Sequence, residues 1–476
     1  MAPSPTGMLH IGGLRTALYN YLFAKQNKGE FILRIEDTDQ ERFVKGATEK
    51  VMEMLKWTGL QWDNKKPIVQ SERVEIYKKY AEQLVKDGHA YYCFCTPERL
   101  KDMRESQKKF NRIQMYDKTC SELNKEAVEL KLKNKEPYVI RLKVPEYEND
   151  KKGKEKERPV RFKDLVWGNL EFYRYAIDDQ VLIKSDGFPT YHLAVVVDDH
   201  EMGITHVMRG EEWLPSTPKH ILLYKAFGWE TPEYVHLPNI LGENKKKLSK
   251  RENDVSVEDF KNKGYLPEAL INYLALLGWN PGTEKEIFSI KELIKEFDIK
   301  KIHKAGAIFD IQKLDNINGQ YIRRLPVNQL TSLCEPYLQD EADKHKKDYI
   351  KKVVAVEQER LKKLSDITEN AKLFFTEKLD YKTKLLVWKK SDSTETKKKL
   401  IETKEKLIEI KTWNIKNLEK TIFDFIKSAN LTNGEVLWPL RVALSGQQNS
   451  PSPFEIADVL GKEKTISRVE DAIKKL

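Results

Sequence analysis

Hydrophobic positions follow two rhythms in the first half of the chain and one in the second. Leu14, Ala17, Leu18, Tyr21 and Leu22 recur at the spacing that lines one helix face. The run Phe31-Ile-Leu-Arg-Ile-Glu-Asp-Thr-Asp39 predicts a buried strand ending in a cluster of carboxylates and a threonine. Ala47, Val51, Met54 and Leu55 predict the next helix. Ser71 is placed to cap another, carrying Ile76, Tyr77, Tyr80 and Leu84. Turn, helix, strand and helix, with polar residues at a strand's carboxyl end, is the pattern of a doubly wound α/β domain. Ligands bind such sheets at those ends.

From Gly88 the pattern changes. Ala90–Cys95 reads as a short strand, and Thr96-Pro-Glu-Arg opens a charged helix. Val160–Phe162 and Asn169–Tyr173 look like strands flanking a turn, so this block reads as a mixed α+β insertion. Val181–Lys184 and Thr205–Arg209 return to strand patterns, and a helix near Pro218 carries Ile221, Leu222, Tyr224 and Phe227 before Gly228 closes it. This is the second half of a split sheet, with Tyr191, Arg209, Glu211 and Glu212 expected at strand ends. From Val255 the spacing is nearly all helical, with few strand signals. Ser256-x-x-Asp259 resembles a capping box, Pro267 starts a helix, and Ile350–Leu364 and Leu400–Ile410 are amphipathic. A subdivision of this helical region is expected near Phe375.

Composition narrows the class. A chain of 476 residues exceeds one core, so two to four domains are expected. The formal net charge of +10 suggests a polyanion partner, with a lysine-rich solvated surface as the competing explanation. Four cysteines form no disulfide framework, which points to a reducing compartment. No apolar run approaches membrane-spanning length, and no signal or transit peptide is expected at the N-terminus.

Three motifs carry candidate chemistry. The first is Met1–Gly13, where a turn bearing His10, Gly12 and Gly13 feeds a helix N-terminus, a position that favours phosphate. The second is Lys245-Lys-Lys-Leu-Ser-Lys-Arg251, either a solvated basic loop or a clamp that neutralises charge on a transferring phosphate. The third is Cys93-x-Cys95, followed after 24 residues by Cys120. It suggests zinc, although no fourth ligand is obvious: Glu122 and Tyr116 are nearby but no histidine is; unliganded, partly buried cysteines are the alternative.

The pairing of His10-Ile-Gly-Gly13 with Lys247-Leu-Ser-Lys-Arg251 resembles the two ATP-binding signatures of class I aminoacyl-tRNA synthetases. Longer strings are similar to the glutamyl branch: Ala2-Pro-Ser-Pro-Thr-Gly7, Arg34-Ile-Glu-Asp-Thr-Asp39, Phe188-Pro-Thr-Tyr-His-Leu-Ala194, Val197-Asp-Asp-His200 and Arg209-Gly-Glu-Glu-Trp213. The helical C-terminal part looks like the bacterial and organellar type. The resemblance implies a multidomain α/β protein with a split Rossmann-like parallel sheet, an α+β insertion and an all-helical C-terminal region. Residues 1–88 and 187–242 would be the two halves of the catalytic domain. Residues 89–186 would grip the tRNA acceptor end, 243–320 would contact the stem and carry the basic loop, and 321–476 would bind the anticodon.

The same resemblance implies an ATP-dependent ligase that forms a glutamyl-adenylate and passes glutamate to tRNA(Glu). ATP with Mg2+ would be met by His10, Gly12, Gly13, Glu212, Trp213, Leu248 and Lys250. His10, Lys247, Ser249 and Lys250 would serve the chemistry, and Ser4, Glu36, Tyr191 and Arg209 would hold L-glutamate. Arg360 falls near an anticodon-reading position, and Phe374, Phe375, Trp388 and Trp413 are either base-stacking or core residues. Cys93, Cys95 and Cys120 match a zinc-bearing subset. A cytoplasmic monomer is expected, or an organellar one had an N-terminal extension been lost. The alternatives are a catalytically weak tRNA-binding paralogue and a non-discriminating enzyme that also charges tRNA(Gln). Gly13 stands where the first signature usually ends in histidine, a substitution familiar in the glutamyl branch. The chain departs from the family in three places: Met1 precedes Ala2 where relatives carry an arginine nearby, Val195 stands where some relatives have asparagine and others valine, and the cysteine cluster lacks a clear fourth ligand.

Overall fold

In the computed structural model His10 caps the first helix, α1 (Ile11–Gln26), which buries Ile11, Leu14, Ala17, Leu18 and Leu22. The structure describes residues 1–145, 148–149, 155–156, 159–248, 255–389 and 391–476, with the backbone alone at 148–149, 155–156 and 340. Two units make up the chain: residues 1–260 with 270–310, and residues 261–269 with 311–476.

In the first unit, β1 (Arg34–Ile35) precedes α2 (Ala47–Trp57) and runs parallel to β2 (Ile68–Val69), which leads to α3 (Val74–Lys86). The strand expected over Phe31–Asp39 forms a regular ladder only at Arg34–Ile35. Elsewhere its amides find other partners. Phe31 and Leu33 donate to the side chains of Asp63 and Asn64, while Arg34 and Glu36 donate to the carbonyls of Met1 and Pro3. Ser71 does not cap α3. Its amide and hydroxyl both donate to Asp37, at 2.8 and 2.6 Å, so that carboxylate ties the end of the first strand region to the next.

The insertion holds β3 (Ala90–Cys93), α4 (Pro97–Lys109), α5 (Lys125–Lys133) and β4 (Val139–Leu142). Further on come β5 (Val160–Asp164), β6 (Gly168–Phe172) and β7 (Val181–Ile183). Strands β3, β4 and β7 form one antiparallel sheet. The β5–β6 hairpin instead joins β8 (His206–Gly210) and β9 (Glu233–Leu237) in a sheet ordered β8-β9-β5-β6, parallel except for the hairpin.

Between these strands lie α6 (Tyr191–Glu201) and α7 (Thr217–Phe227), the latter closed by left-handed Gly228. Tyr191 therefore opens a helix rather than ending a strand. Leu193–Val197 is buried throughout, and a short continuous apolar run has the same appearance in a buried helix as in a buried strand. One core gathers Tyr77, Leu84, Leu182, Leu193–Val197, Leu223 and Tyr234.

The second unit is helical, with no strand among its described residues. Asn433–Ser445 and Pro453–Lys475 start with capping boxes, Thr432/Glu435 and Ser452/Glu455. Buried Arg468 donates to the carbonyls of Leu373, Thr376 and Leu444, joining three segments. The aromatic candidates pack inward: Phe374 is fully buried, Phe375 lies on His345, Trp388 meets Trp438, and Trp413 donates to the Ala457 carbonyl.

Candidate active site

A cleft of about 960 Å³ opens in the first unit. Its lining brings together Ser4, His10, Gly12, Gly13, Glu36, Tyr191, Arg209, Glu212, Trp213, Lys247 and Leu248. Ser249 and Lys250 lie outside the described residues.

The N-terminus of α1 is arranged around His10. The Gly12 amide donates to His10 Nδ1 at 2.9 Å, so the ring's proton belongs on Nε2. A Cβ at Gly12 would stand 3.2 Å from that Nδ1, which is why a side chain there would push the ring aside. Helix amides were expected to be free for phosphate. Two have partners within the chain: Ile11 donates to Val255 O and Gly12 to His10 Nδ1, while Leu14 N–H on His10 O is the first bond of the helix itself. Val257 in turn donates to Leu9 O, and His10 bridges Ser256. The segment just after the basic loop is thus bonded to the first signature. The segment just before it is held by Leu248 N–H on Ile240 O, and Lys247 Nζ meets Glu212 at 3.0 Å.

Glu36 belongs to a charge cluster. Arg34 donates to Glu36 at 3.0 Å and to Asp199 at 2.7 Å, and lies 3.7 Å from Asp198. Arg73, Tyr77 and Gln70 also donate to Asp198, which is fully buried. Two guanidiniums, Arg34 and Arg73, face three carboxylates, and burial pushes both Glu36 and Asp199 upward despite Arg34. Glu36 is therefore the end of a fixed network rather than a solitary acid.

Arg209 is 9% exposed, and all its partners are neutral. Nε donates to His236 at 3.1 Å, Nη1 to Tyr191 at 3.1 Å and His220 at 3.3 Å, and Nη2 to Thr217 at 2.8 Å and the Trp213 carbonyl at 3.4 Å. Among the described residues no carboxylate lies within ion-pair distance of it. A buried cation without an anion strongly favours an anionic ligand. The imidazoles around it are held neutral. His220 is pushed well down by burial and by Arg209, and burial lowers His192 to about 3. Burial raises Tyr191 to about 12, so its hydroxyl stays protonated. Trp213 stacks 4.4 Å from Tyr191. The sequence motifs assign no role to His236, Thr217, His220 or Asp164, and Asp199 enters only as part of the string Val197-Asp-Asp-His200. His236 and Asp164 lie far from the motifs along the chain and are brought in by strand register, whereas Asp199 is carried by α6 and Thr217 and His220 by α7, just after Trp213.

Two candidate groups lie elsewhere. In the insertion the sulfurs of Cys93, Cys95 and Cys120 all lie within 4.8 Å of one another. The Tyr116 hydroxyl sits 3.4 Å from Cys93 and 3.2 Å from Cys95 and accepts from the Cys120 amide, while Arg141 stacks 4.0 Å over its ring. The neighbouring Cys120 thiol, opposed by burial, lowers Cys93 to a thiolate.

Arg360 is in the second unit, where Nη1 meets Glu357 at 3.0 Å and Nη2 donates to the Asn449 carbonyl. Burial, opposed by Arg360, raises Glu357 to about 7. A carboxyl raised on folding adds stability that is full below about pH 4.5 and is lost as pH climbs through about 7. Thermal unfolding should therefore fall in midpoint across this window. Glu357→Gln should flatten that fall, and parallel profiles for the two proteins would show that Glu357 does not titrate there.

Residues 1–316 match the family of class I (E and Q) tRNA synthetase catalytic domains, and residues 329–473 match an anticodon binding domain. A glutamate–tRNA ligase of Clostridioides difficile is 44% identical, covering 98% of this chain and 97% of its own. One from Clostridium botulinum is 46% identical, covering 100% and 97%. The crystal structure of a glutamate tRNA ligase from Elizabethkingia meningosepticum, in complex with its amino acid, superposes with a TM-score of 0.88. That chain is 39% identical, with 99% of this chain and 98% of the other covered.

Proposed function

The chain belongs to the class I tRNA synthetases, among the glutamate–tRNA ligases, and on that premise we propose how its cleft divides the work. The reaction joins L-glutamate to tRNA using ATP. The α-carboxylate of glutamate attacks the α-phosphorus of ATP–Mg2+ and pyrophosphate leaves. A hydroxyl of the terminal ribose of tRNA(Glu) then attacks the adenylate's carbonyl and AMP leaves.

Arg209 receives the side-chain carboxylate of glutamate, and this assignment rests on its burial among neutral partners. Tyr191 and Ser4 complete the polar wall, and Glu36 faces the substrate's ammonium. His10, through Nε2–H, and the Gly12-Gly13 turn meet the phosphates and ribose. Trp213 and Glu212 flank the adenosine side with Leu248. Lys247, Ser249 and Lys250 neutralise charge as the phosphorus becomes five-coordinate, so positioning and charge do most of the catalytic work.

Zinc fits the cysteine cluster on chemistry. Three thiols and a phenol converge there, one thiol is already favoured as the thiolate, and soft sulfur ligands suit that metal. Cys93, Cys95, Cys120 and Tyr116 would hold it, bracing the insertion that takes the tRNA acceptor end, and Arg360 would read the anticodon. No described helix is long and apolar enough to cross a membrane. The free cysteines suit a reducing cytoplasm, and a monomer is the simplest assembly.

ATP–pyrophosphate exchange with glutamate and tRNA present, followed by charging of purified tRNA(Glu) and tRNA(Gln), tests this reading. Exchange and charging of tRNA(Glu) are expected. Intact tRNA binding with no exchange would overturn the reading in favour of a binding paralogue. Charging of both tRNAs would identify the non-discriminating form.

A further inference from the structure

We propose that Asp164 and His236 are positioning residues that hold Arg209 in the form that selects a glutamate side chain over a glutamine. The inference rests on the assignment of Arg209 to the substrate's side-chain carboxylate.

Three adjacent strands build the relay. Arg209 on β8 and His236 on β9 are direct neighbours in register, and Asp164 ends β5 opposite Tyr234. Asp164 Oδ1 accepts from the amides of Val166 and Trp167, at 2.9 and 2.8 Å. Its Oδ2 accepts from the His236 amide at 3.1 Å and lies 2.7 Å from His236 Nδ1. An ionised carboxylate can only accept, so the imidazole proton sits on Nδ1. The Nε2 lone pair then faces Arg209 Nε–H at 3.1 Å, with the Thr217 hydroxyl also at 3.1 Å. Asp164 and His236 have no exposed side-chain surface. Burial also lowers the affinity of His236 for a second proton, which keeps the ring neutral.

The interposed ring separates orientation from neutralisation. A carboxylate bonded directly to Arg209 would satisfy its charge and leave little attraction for substrate. A neutral imidazole fixes the guanidinium plane and leaves that charge to be met by the ligand. A side-chain carboxylate completes the pair, whereas a carboxamide offers no charge and can present an N–H₂ donor to a group that only donates.

Asp164→Asn provides the sharpest test. The amides of Val166 and Trp167 still require an oxygen, so the new N–H₂ faces His236. The imidazole must then move its proton to Nε2, where it meets Arg209 Nε–H donor to donor. In ATP–pyrophosphate exchange with tRNA present, KM for glutamate should rise about tenfold or more with KM for ATP little changed, and the kcat/KM preference for glutamate over glutamine should narrow. His236→Gln, which can still offer an oxygen to Arg209, should keep KM for glutamate closer to that of the parent than His236→Leu does. This pair decides the matter if Asp164→Asn fails to fold. Equal effects of Gln and Leu, or KM for glutamate and ATP rising together, would overturn the relay. Arg209→Gln is the control. If it leaves KM for glutamate unchanged, the underlying assignment fails; if it raises that KM while both relay positions are silent, only the relay fails.

Discussion

Replacing Arg209 with glutamine is expected to reduce glutamate use by roughly two to three powers of ten while leaving KM for ATP nearly constant. The magnitude follows from what is removed. Truncating one partner of a desolvated charge pair costs about 3–4 kcal/mol, and each 1.4 kcal/mol is about tenfold. Glutamine keeps a polar donor at the site while removing the charge, so the loss reports mainly the missing cation. Its neutral amide also relieves the unpaired cation of the free protein, so folding should not suffer. Arg209→Lys should fall between parent and glutamine. An ammonium keeps the charge but cannot span His236, Tyr191 and Thr217 at once, as the guanidinium does at 3.1, 3.1 and 2.8 Å. The measurement is kcat/KM for each substrate in pyrophosphate exchange. A fall shared equally by glutamate and ATP would remove Arg209 from the glutamate subsite.

How much of this was legible beforehand depended on whether the signal was local. The turn at His10–Gly13 and the helix after it could be read from glycines and apolar spacing, because both are set within a few residues. The helical C-terminal region was readable for the same reason. That His10-Ile-Gly-Gly13 and the basic motif serve one site is what the resemblance implies; among the described residues, Lys247 and Leu248 line the same cleft as His10, and Val255 and Val257 are bonded to Ile11 and Leu9. Tyr191 opens a helix that reads as a strand end because the central run Leu193–Val197, buried all round, has no polar face to reveal its period. The setting of Arg209 could not be read at all. His236 and Asp164 reach it through the register of three parallel strands, and nothing in their spacing along the chain encodes that register. Ser71 shows the reverse error. A good capping residue was recruited by Asp37, a stronger acceptor from a distant part of the sequence.

Lys250→Ala is expected to slow adenylate formation by roughly a hundredfold or more, about 3 kcal/mol, with little change in KM for either small substrate. The expectation rests on the resemblance of its motif and on the described segments that flank it. Leu248 lines the cleft and donates to Ile240 O, and Val255, Ser256 and Val257 are bonded or bridged to Leu9, His10 and Ile11. Lys250 itself lies outside the described residues, and its part in the proposed phosphate site is what the resemblance of its motif implies. Its contribution should appear mainly at the transition state, when charge builds on the oxygens of the transferring phosphorus, so kcat should fall rather than KM rise. Lys247 offers the contrast. Its ammonium is already shared with Glu212 at 3.0 Å, so the part it plays must be won from that partner, and Lys247→Ala should do less damage than Lys250→Ala. Single-turnover formation of glutamyl-adenylate, measured by rapid quench with tRNA bound, separates the two. An unchanged rate in Lys250→Ala would exclude that ammonium from the activation step, and a larger loss at Lys247 would reverse the assignment of the two lysines.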